Sequence, residues 1–164
     1  MTSLVLIGPM GSGKSRIGKR VAQLLEVGFV DTDKVIVAGH GPIAAIFEAH
    51  GEPHFRALER AVVADALTGD GVVSLGGGAV LDVATQRELA EHRVVLFTVS
   101  PEAVEPRLAN EKRPLVKNGL TDWLRIRDER MPLYERLADA TFDTSFRPTT
   151  QIAEEVAAWA RQTA

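Results

Sequence analysis

The eight residues Gly8-Pro9-Met10-Gly11-Ser12-Gly13-Lys14-Ser15 constrain this chain more than any other feature. They follow a short apolar run, Ser3 to Ile7, and precede a stretch in which Ile17, Val21, Leu24 and Leu25 recur at spacings of three and four. A buried strand, a glycine-rich turn and an amphipathic helix from about Lys14 to Glu26 are predicted in succession. In that setting the pattern G-x-x-x-x-G-K-[ST] is a phosphate cradle. Its glycines let backbone N–H groups converge on phosphate oxygens, and the helix N-terminus adds partial positive charge. Lys14 is suited to the β and γ phosphates and Ser15 to Mg²⁺. Gly11, Ser12, Gly13 and Arg16 are the further candidate nucleotide contacts.

The same alternation continues along the chain. Phe29-Val30 leading into Asp31, Val72 to Leu75, Val94 to Phe97 and a short piece near Thr141 to Asp143 read as strands, with helix-length sequence between them. Strands so separated cannot pair as hairpins. A mainly parallel, five-stranded sheet with helices on both faces is predicted, an α/β fold. Two stretches break the rhythm. Gly39 to Pro53 brackets Ile43, Ile46 and Phe47 with Gly41-Pro42 and Gly51 and reads as a small helical insert; Asn110 to Asn118 is charged, without periodicity, and reads as a mobile loop. Pro132 is expected to break the helical pattern near Met131 and to leave Arg130 at a bend, because proline lacks an N–H and clashes with the preceding turn.

Composition narrows the function classes. At 164 residues, with 45% hydrophobic and 25% charged side chains, the chain has material for one core, so one domain and a monomer are expected. A net charge of −3 gives no general attraction to nucleic acid or anionic lipid, and neither is an expected partner. The absence of cysteine excludes disulfides, thiolate metal sites and a cysteine nucleophile. No apolar run approaches a membrane span and the opening run is too short for a signal sequence, so a soluble cytoplasmic protein is expected. His50 and His54 have metal-like spacing, but Gly51 and Pro53 interrupt the helix that would align them, and zinc is not expected. Trp123 and Trp159 are expected in the core.

Chemistry-bearing residues gather where the predicted strands end. Asp31-Thr32-Asp33 closes the second strand, at the edge where ligands bind in such sheets. One carboxylate is suited to the Mg²⁺ shell and the other to an attacking hydroxyl, while Asp33 taken alone reads as the N-cap of the helix that follows. Gly76-Gly77-Gly78 follows the third strand and permits close backbone approach to a ligand. Arg56 and Glu59 share a helix face beside Phe55 and make either a grip for a substrate carboxylate or a plain surface ion pair. Arg113, in the loop beside Lys112 and Lys117, is suited to neutralising phosphoryl charge.

Taken in order, these segments, with Gly51-Glu52 and Arg130 through Tyr134, resemble the shikimate kinases over nearly the whole chain. The resemblance implies a P-loop kinase fold of the nucleoside-monophosphate-kinase-like type, a three-layer sandwich around a five-stranded parallel sheet. One domain would span residues 1–164, with a substrate-binding helical insert at about 33–61 and a lid at about 109–120. The implied reaction moves the γ-phosphoryl of ATP to the 3-hydroxyl of shikimate, giving shikimate 3-phosphate and ADP, with Mg²⁺. By the same resemblance, Asp33, Arg56, Gly77 and Arg130 hold shikimate, Gly76, Gly78, Phe47 and Phe55 complete its pocket, and Glu59 supports Arg56. Asp33 faces the attacking hydroxyl. Lys14 and Arg113 stabilise the transferring group, Ser15 binds Mg²⁺, Asp31 helps to organise its shell, and Arg147 lies on the nucleotide side. Arg16 stands where the family often carries Thr. Arg107 lies one residue nearer Arg113 than the family's adenine-side arginine and carries no assignment. The alternatives are a related kinase, such as a gluconate kinase, and a nucleotide-binding module without turnover.

Overall fold

A computed structural model of the chain describes residues 2–109 and 114–164. Five parallel strands, β1 (Leu4–Ile7), β2 (Phe29–Asp31), β3 (Val72–Ser74), β4 (Arg93–Thr98) and β5 (Ala140–Asp143), form one sheet in the order β2-β3-β1-β4-β5. β1 lies at its centre, with Leu6 opposite Ser74 on one side and Val95 on the other. All four β1 residues are buried, which is why this strand is continuously apolar and not alternating.

The helices are α1 (Lys14–Leu25), α2 (Thr32–His40), α3 (Ile43–His50), α4 (Glu52–Ala66), α5 (Val83–Leu89), α6 (Pro101–Leu108), α7 (Leu120–Leu137) and α8 (Thr149–Gln162). Successive β1 side chains feed opposite layers, as the pleat requires. Leu4 and Leu6 pack with Ile17 and Val21 of α1 and with Ile152 and Val156 of α8. Val5 and Ile7 pack with Val63 of α4, Leu89 of α5 and Tyr134 of α7. This is a helix–sheet–helix sandwich. Between β2 and β3, α2, α3 and the start of α4 form a satellite core of Ile36, Ile46 and Phe55, with Phe47 and Phe55 ring centroids 5.0 Å apart.

One expectation is corrected and one open reading is decided. The sequence places a break near Met131, yet α7 runs unbroken through Pro132. Pro132 and Asp128, whose carbonyl loses its helical partner, both lie on the exposed face, where water can replace the missing bond. Arg130 is therefore presented by a helix and not by a bend. The N-cap of α2 is Asp31, whose Oδ1 accepts from Lys34 N at 3.2 Å, while Asp33 lies inside the first helical turn. β2 ends in extended backbone at Asp31 and the helix begins immediately after it, which leaves Asp33 without a cap to make.

The loop after β1 leads to α1 on one face, and the chain after β3 leads to α5 on the other. Ligands of open α/β sheets bind in the crevice where adjacent strands diverge in this way. No helix among the described residues is long and apolar enough to cross a membrane.

Candidate active site

The loop after β1 takes a path that depends on glycine. Gly8 has φ +144°, and a Cβ there would collide with the Phe97 carbonyl of β4, which cannot yield. Lys14 starts α1 and is 9% exposed, its Nζ donating to Gly8 O at 2.7 Å and Pro9 O at 3.0 Å. Neighbouring elements brace the loop from outside. Arg107 donates to Gly11 O at 2.7 Å and to the carbonyls of Thr144 and Ser145, each at 3.2 Å. The Thr144 hydroxyl donates to Ser12 O at 2.7 Å, and Trp123 Nε1 donates to Met10 O at 2.8 Å.

Over this loop lies a cavity of about 390 Å³, reached by Lys14, Ser15, Arg16, Arg107 and Arg147. Arg147 is paired with Glu155 of α8. Backbone donors at a helix N-terminus, with arginines around them, make a site for a polyphosphate.

At the inner end of the cavity, Asp31 Oδ2 accepts the Ser15 hydroxyl, and Ser15 Oγ lies 3.5 Å from Ser74 Oγ. One Asp31 carboxylate thus caps α2 with one oxygen and meets the phosphate loop with the other. A hydroxyl beside a carboxylate is an oxygen-only donor set. It fits Mg²⁺, which takes one or two carboxylates and fills its remaining positions with water and substrate phosphate.

A second cavity, of about 680 Å³, shares Met10, Ser15, Asp31, Asp33, Gly76 and Gly77 with the first. Its other walls include Lys34, Val37, Ile43, Phe47 and Phe55, then Arg56 and Glu59 of α4, Gly78, Arg130 of α7, and Pro114 and Leu115. Arg113 lies outside the described residues. Arg56 donates from Nη1 to Glu59 Oε1 at 2.6 Å and from Nε to Glu52 Oε2 at 3.2 Å. Glu59 is only 3% exposed, so the surface-pair reading fails. Burial pushes the Glu59 carboxyl above its ordinary pKa, the Arg56 guanidinium pulls it back, and the Asp33 charge adds to the rise.

Gly76-Gly77-Gly78 is small because side chains already fill the space beside it. A Cβ at Gly76 would sit 2.7 Å from Asp33 Oδ1 and 2.9 Å from Glu59 Oε2; one at Gly78 would sit 2.5 Å from Arg56 Nη2. Gly77 packs against Arg130, which is 8% exposed, and against the phosphate loop at Gly8 and Met10. Gly76 and Gly77 thus line both cavities, and Gly78 lines the second.

The structure brings Asp31, Asp33, Lys14, Ser15, Arg56, Glu59, Phe47, Phe55, Arg130 and all three glycines to one continuous cleft. Three residues contribute to the site in ways the sequence did not assign. Ser74 is the last residue of β3, and position alone marked it. Trp123 is in the core as expected, at 1% exposure, but its indole also donates to the phosphate loop. Tyr134 follows Arg130 by four residues, which puts both on one face of α7, and its hydroxyl donates to Gly77 O at 2.5 Å.

Comparison with known proteins agrees with this geometry. The shikimate kinase family model matches residues 10–161. A shikimate kinase of Salinispora arenicola is 46% identical over 158 residues, covering 94% of this chain and 95% of that protein. The solved shikimate kinase from Acinetobacter baumannii in complex with shikimate superposes with a TM-score of 0.92 at 30% identity, covering 99% of this chain and 94% of that one. A gluconokinase from Sinorhizobium meliloti shares the fold with a TM-score of 0.67 at 20% identity, covering 99% of this chain and 93% of that one. On the family match and the identity along nearly its full length, the chain belongs to the shikimate kinase family.

Proposed function

We propose that this protein transfers the γ-phosphoryl group of ATP to the 3-hydroxyl of shikimate, giving shikimate 3-phosphate and ADP. The observation that carries the reading is the shared wall of the two cavities. Ser15, Asp31, Asp33, Gly76 and Gly77 border both, so a nucleotide over the loop and an acceptor between α2, α4 and α7 meet there. Phosphoryl transfer asks mainly for such positioning and for charge neutralisation.

Each residue then has a role. Arg56 and Arg130 take the acceptor's carboxylate, which suits two guanidinium groups in a cavity whose apolar walls include Ile43, Phe47 and Phe55. Glu59 holds Arg56 in place. Asp33 accepts the hydrogen bond of the attacking hydroxyl and takes its proton as the O–P bond forms. Gly11, Ser12 and Gly13 cradle the phosphates, and Lys14 and Arg113 offset the charge on the transferring group. Arg16 and Arg147 contact the nucleotide from the rim. Ser15 and Asp31 are the residues that hold Mg²⁺, which when bound offsets charge on the phosphate oxygens.

The apolar walls also favour shikimate over gluconate. Gluconate carries hydroxyls along its whole length, and each one set against Val37, Ile43, Phe47 or Phe55 loses its water without gaining a partner. Shikimate's ring has an apolar edge to place there. Residues 1–164 act as a single domain, with a substrate-binding insert at about 33–61 and a lid at about 109–120. The protein works as a cytoplasmic monomer without nucleic-acid or membrane partners. ADP release from Mg·ATP, measured with shikimate, gluconate, a nucleoside monophosphate or no acceptor, tests the reading. Release dependent on shikimate supports it, and equal release with gluconate or with no acceptor overturns it.

A further inference from the structure

Glycine has more backbone freedom to lose than any other residue, and three in a row do not hold a fixed path unaided. Yet Gly76, Gly77 and Gly78 meet Asp33 and Glu59, Arg130, and Arg56 respectively, so a small shift of this turn displaces four of the charged side chains that line the acceptor cavity. The carbonyls of Gly76 and Gly78 accept from the backbone N–H groups of Ala79 and Leu81, each at 3.1 Å. Gly77 O instead takes a side-chain hydrogen bond, 2.5 Å from the Tyr134 phenol.

Tyr134 is well placed to act as a fixed post. It is 1% exposed, its ring packs among Val5, Ile7 and Leu96 under the central strands, and it shares α7 with Arg130, one turn away. Burial raises its phenol pKa and Arg130 opposes the shift, so the hydroxyl stays a donor throughout the neutral range.

We infer that Tyr134 is a positioning residue for the acceptor site: its hydroxyl pins Gly77 so that Arg130 on one side, and Arg56 and Asp33 on the other, converge on one acceptor geometry. It touches neither the nucleotide cavity nor the acceptor cavity itself. The inference rests on shikimate as acceptor and adds a residue outside the pocket that tunes its affinity.

The test is Tyr134→Phe, which removes one oxygen and keeps the ring. Losing a buried hydrogen bond of this kind is expected to raise KM for shikimate about three- to tenfold. KM for ATP stays within about twofold, because the phosphate loop keeps its own braces from Arg107, Thr144 and Trp123. A purely structural tyrosine gives the opposite pattern, a lower melting temperature with both KM values unchanged, and that result overturns the inference. A second probe is available because the chain has a single tyrosine. Biosynthetic 3-fluorotyrosine places one ¹⁹F reporter on Tyr134 in an otherwise native protein. Its resonance is expected to move as shikimate is titrated; a resonance that stays fixed at saturating shikimate overturns the inference even if Tyr134→Phe does not fold. If the unsubstituted protein does not turn over shikimate, the acceptor reading fails first and this inference falls with it. If it does and Tyr134→Phe matches it in both KM values, this inference alone fails.

Discussion

Arg56 and Glu59, one turn apart on α4, form a 2.6 Å ion pair in which the carboxylate side chain is 4% exposed and the guanidinium 23%. Both line the acceptor cavity, but the acid is the buried half of the pair and the base the more exposed one. A substitution at Gly78 tests this arrangement without replacing either partner. A Cβ there meets the Nη and Cζ atoms of Arg56, the far end of a flexible side chain, so the guanidinium moves and the backbone does not. Gly78→Ala is expected to raise KM for shikimate about tenfold to a hundredfold, the worth of charge-assisted hydrogen bonds, with a melting temperature close to that of the unsubstituted protein. An unchanged KM contradicts the assigned role of Arg56.

The same pair sets a pH dependence. Burial raises the Glu59 carboxyl above the usual glutamate range, so it takes up a proton at a higher pH than an ordinary glutamate. Once neutral, it holds Arg56 less firmly. KM for shikimate should therefore climb as pH falls towards that raised value. Glu59→Gln should show a KM about tenfold higher at neutral pH and a shallower rise in acid, since a neutral amide cannot titrate and only the other carboxylates of the site still do. KM profiles from pH 8 down to the limit of folding check this, and parallel profiles for the two proteins contradict it.

Asp31 serves two partners, and asparagine separates them. Asparagine caps helices as well as aspartate does, so Asp31→Asn keeps the Lys34 N contact and α2 while removing the charge beside Ser15. The magnesium concentration that half-saturates the rate should rise about ten- to a hundredfold, in line with losing a group that orients a metal shell. An unshifted magnesium curve contradicts the placement of the ion at Ser15 and Asp31.

Much of this architecture was legible in the sequence because β1, the phosphate loop and α1 each carry a local signal: a continuous apolar run, fixed glycines and a helical period. What stayed hidden depended on tertiary context. Pro132 forbids a helix only if the freed Asp128 carbonyl lacks water, and exposure cannot be read from neighbouring letters. Asp31 and Asp33 look alike in sequence, and only the length of β2 decides which one caps α2. The Arg56–Glu59 pair has the spacing of any surface pair; its burial comes from Gly76 and Gly78, which lie at the end of another strand. Tyr134 and Ser74 gain meaning from partners 57 and 59 residues away.

Far from the cleft, His92 gives a stability prediction of known sign. Its Nδ1 accepts from Ser3 N at 2.9 Å, and burial lowers its pKa below the ordinary histidine value of about 6.5. The unfolded chain therefore binds this proton more readily than the folded one, and stability is lost as pH falls below 6.5. His92→Gln should flatten the acid side of the melting curve. At neutral pH it should cost about 1 kcal/mol, or a few degrees in Tm, for the weakened hydrogen bond. Identical slopes of Tm between pH 7 and 5.5 contradict this role.

The most direct test of the central claim is the position of the phosphate in the product. After incubation with Mg·ATP and shikimate, a ¹H–³¹P correlation spectrum is expected to couple the new phosphorus to the proton on C3 of the ring, with one ADP formed per phosphoryl transferred. A phosphorus coupled to C4 or C5, or ADP released with no phosphorylated shikimate, contradicts the arrangement of Asp33, Arg56 and Arg130 around that acceptor.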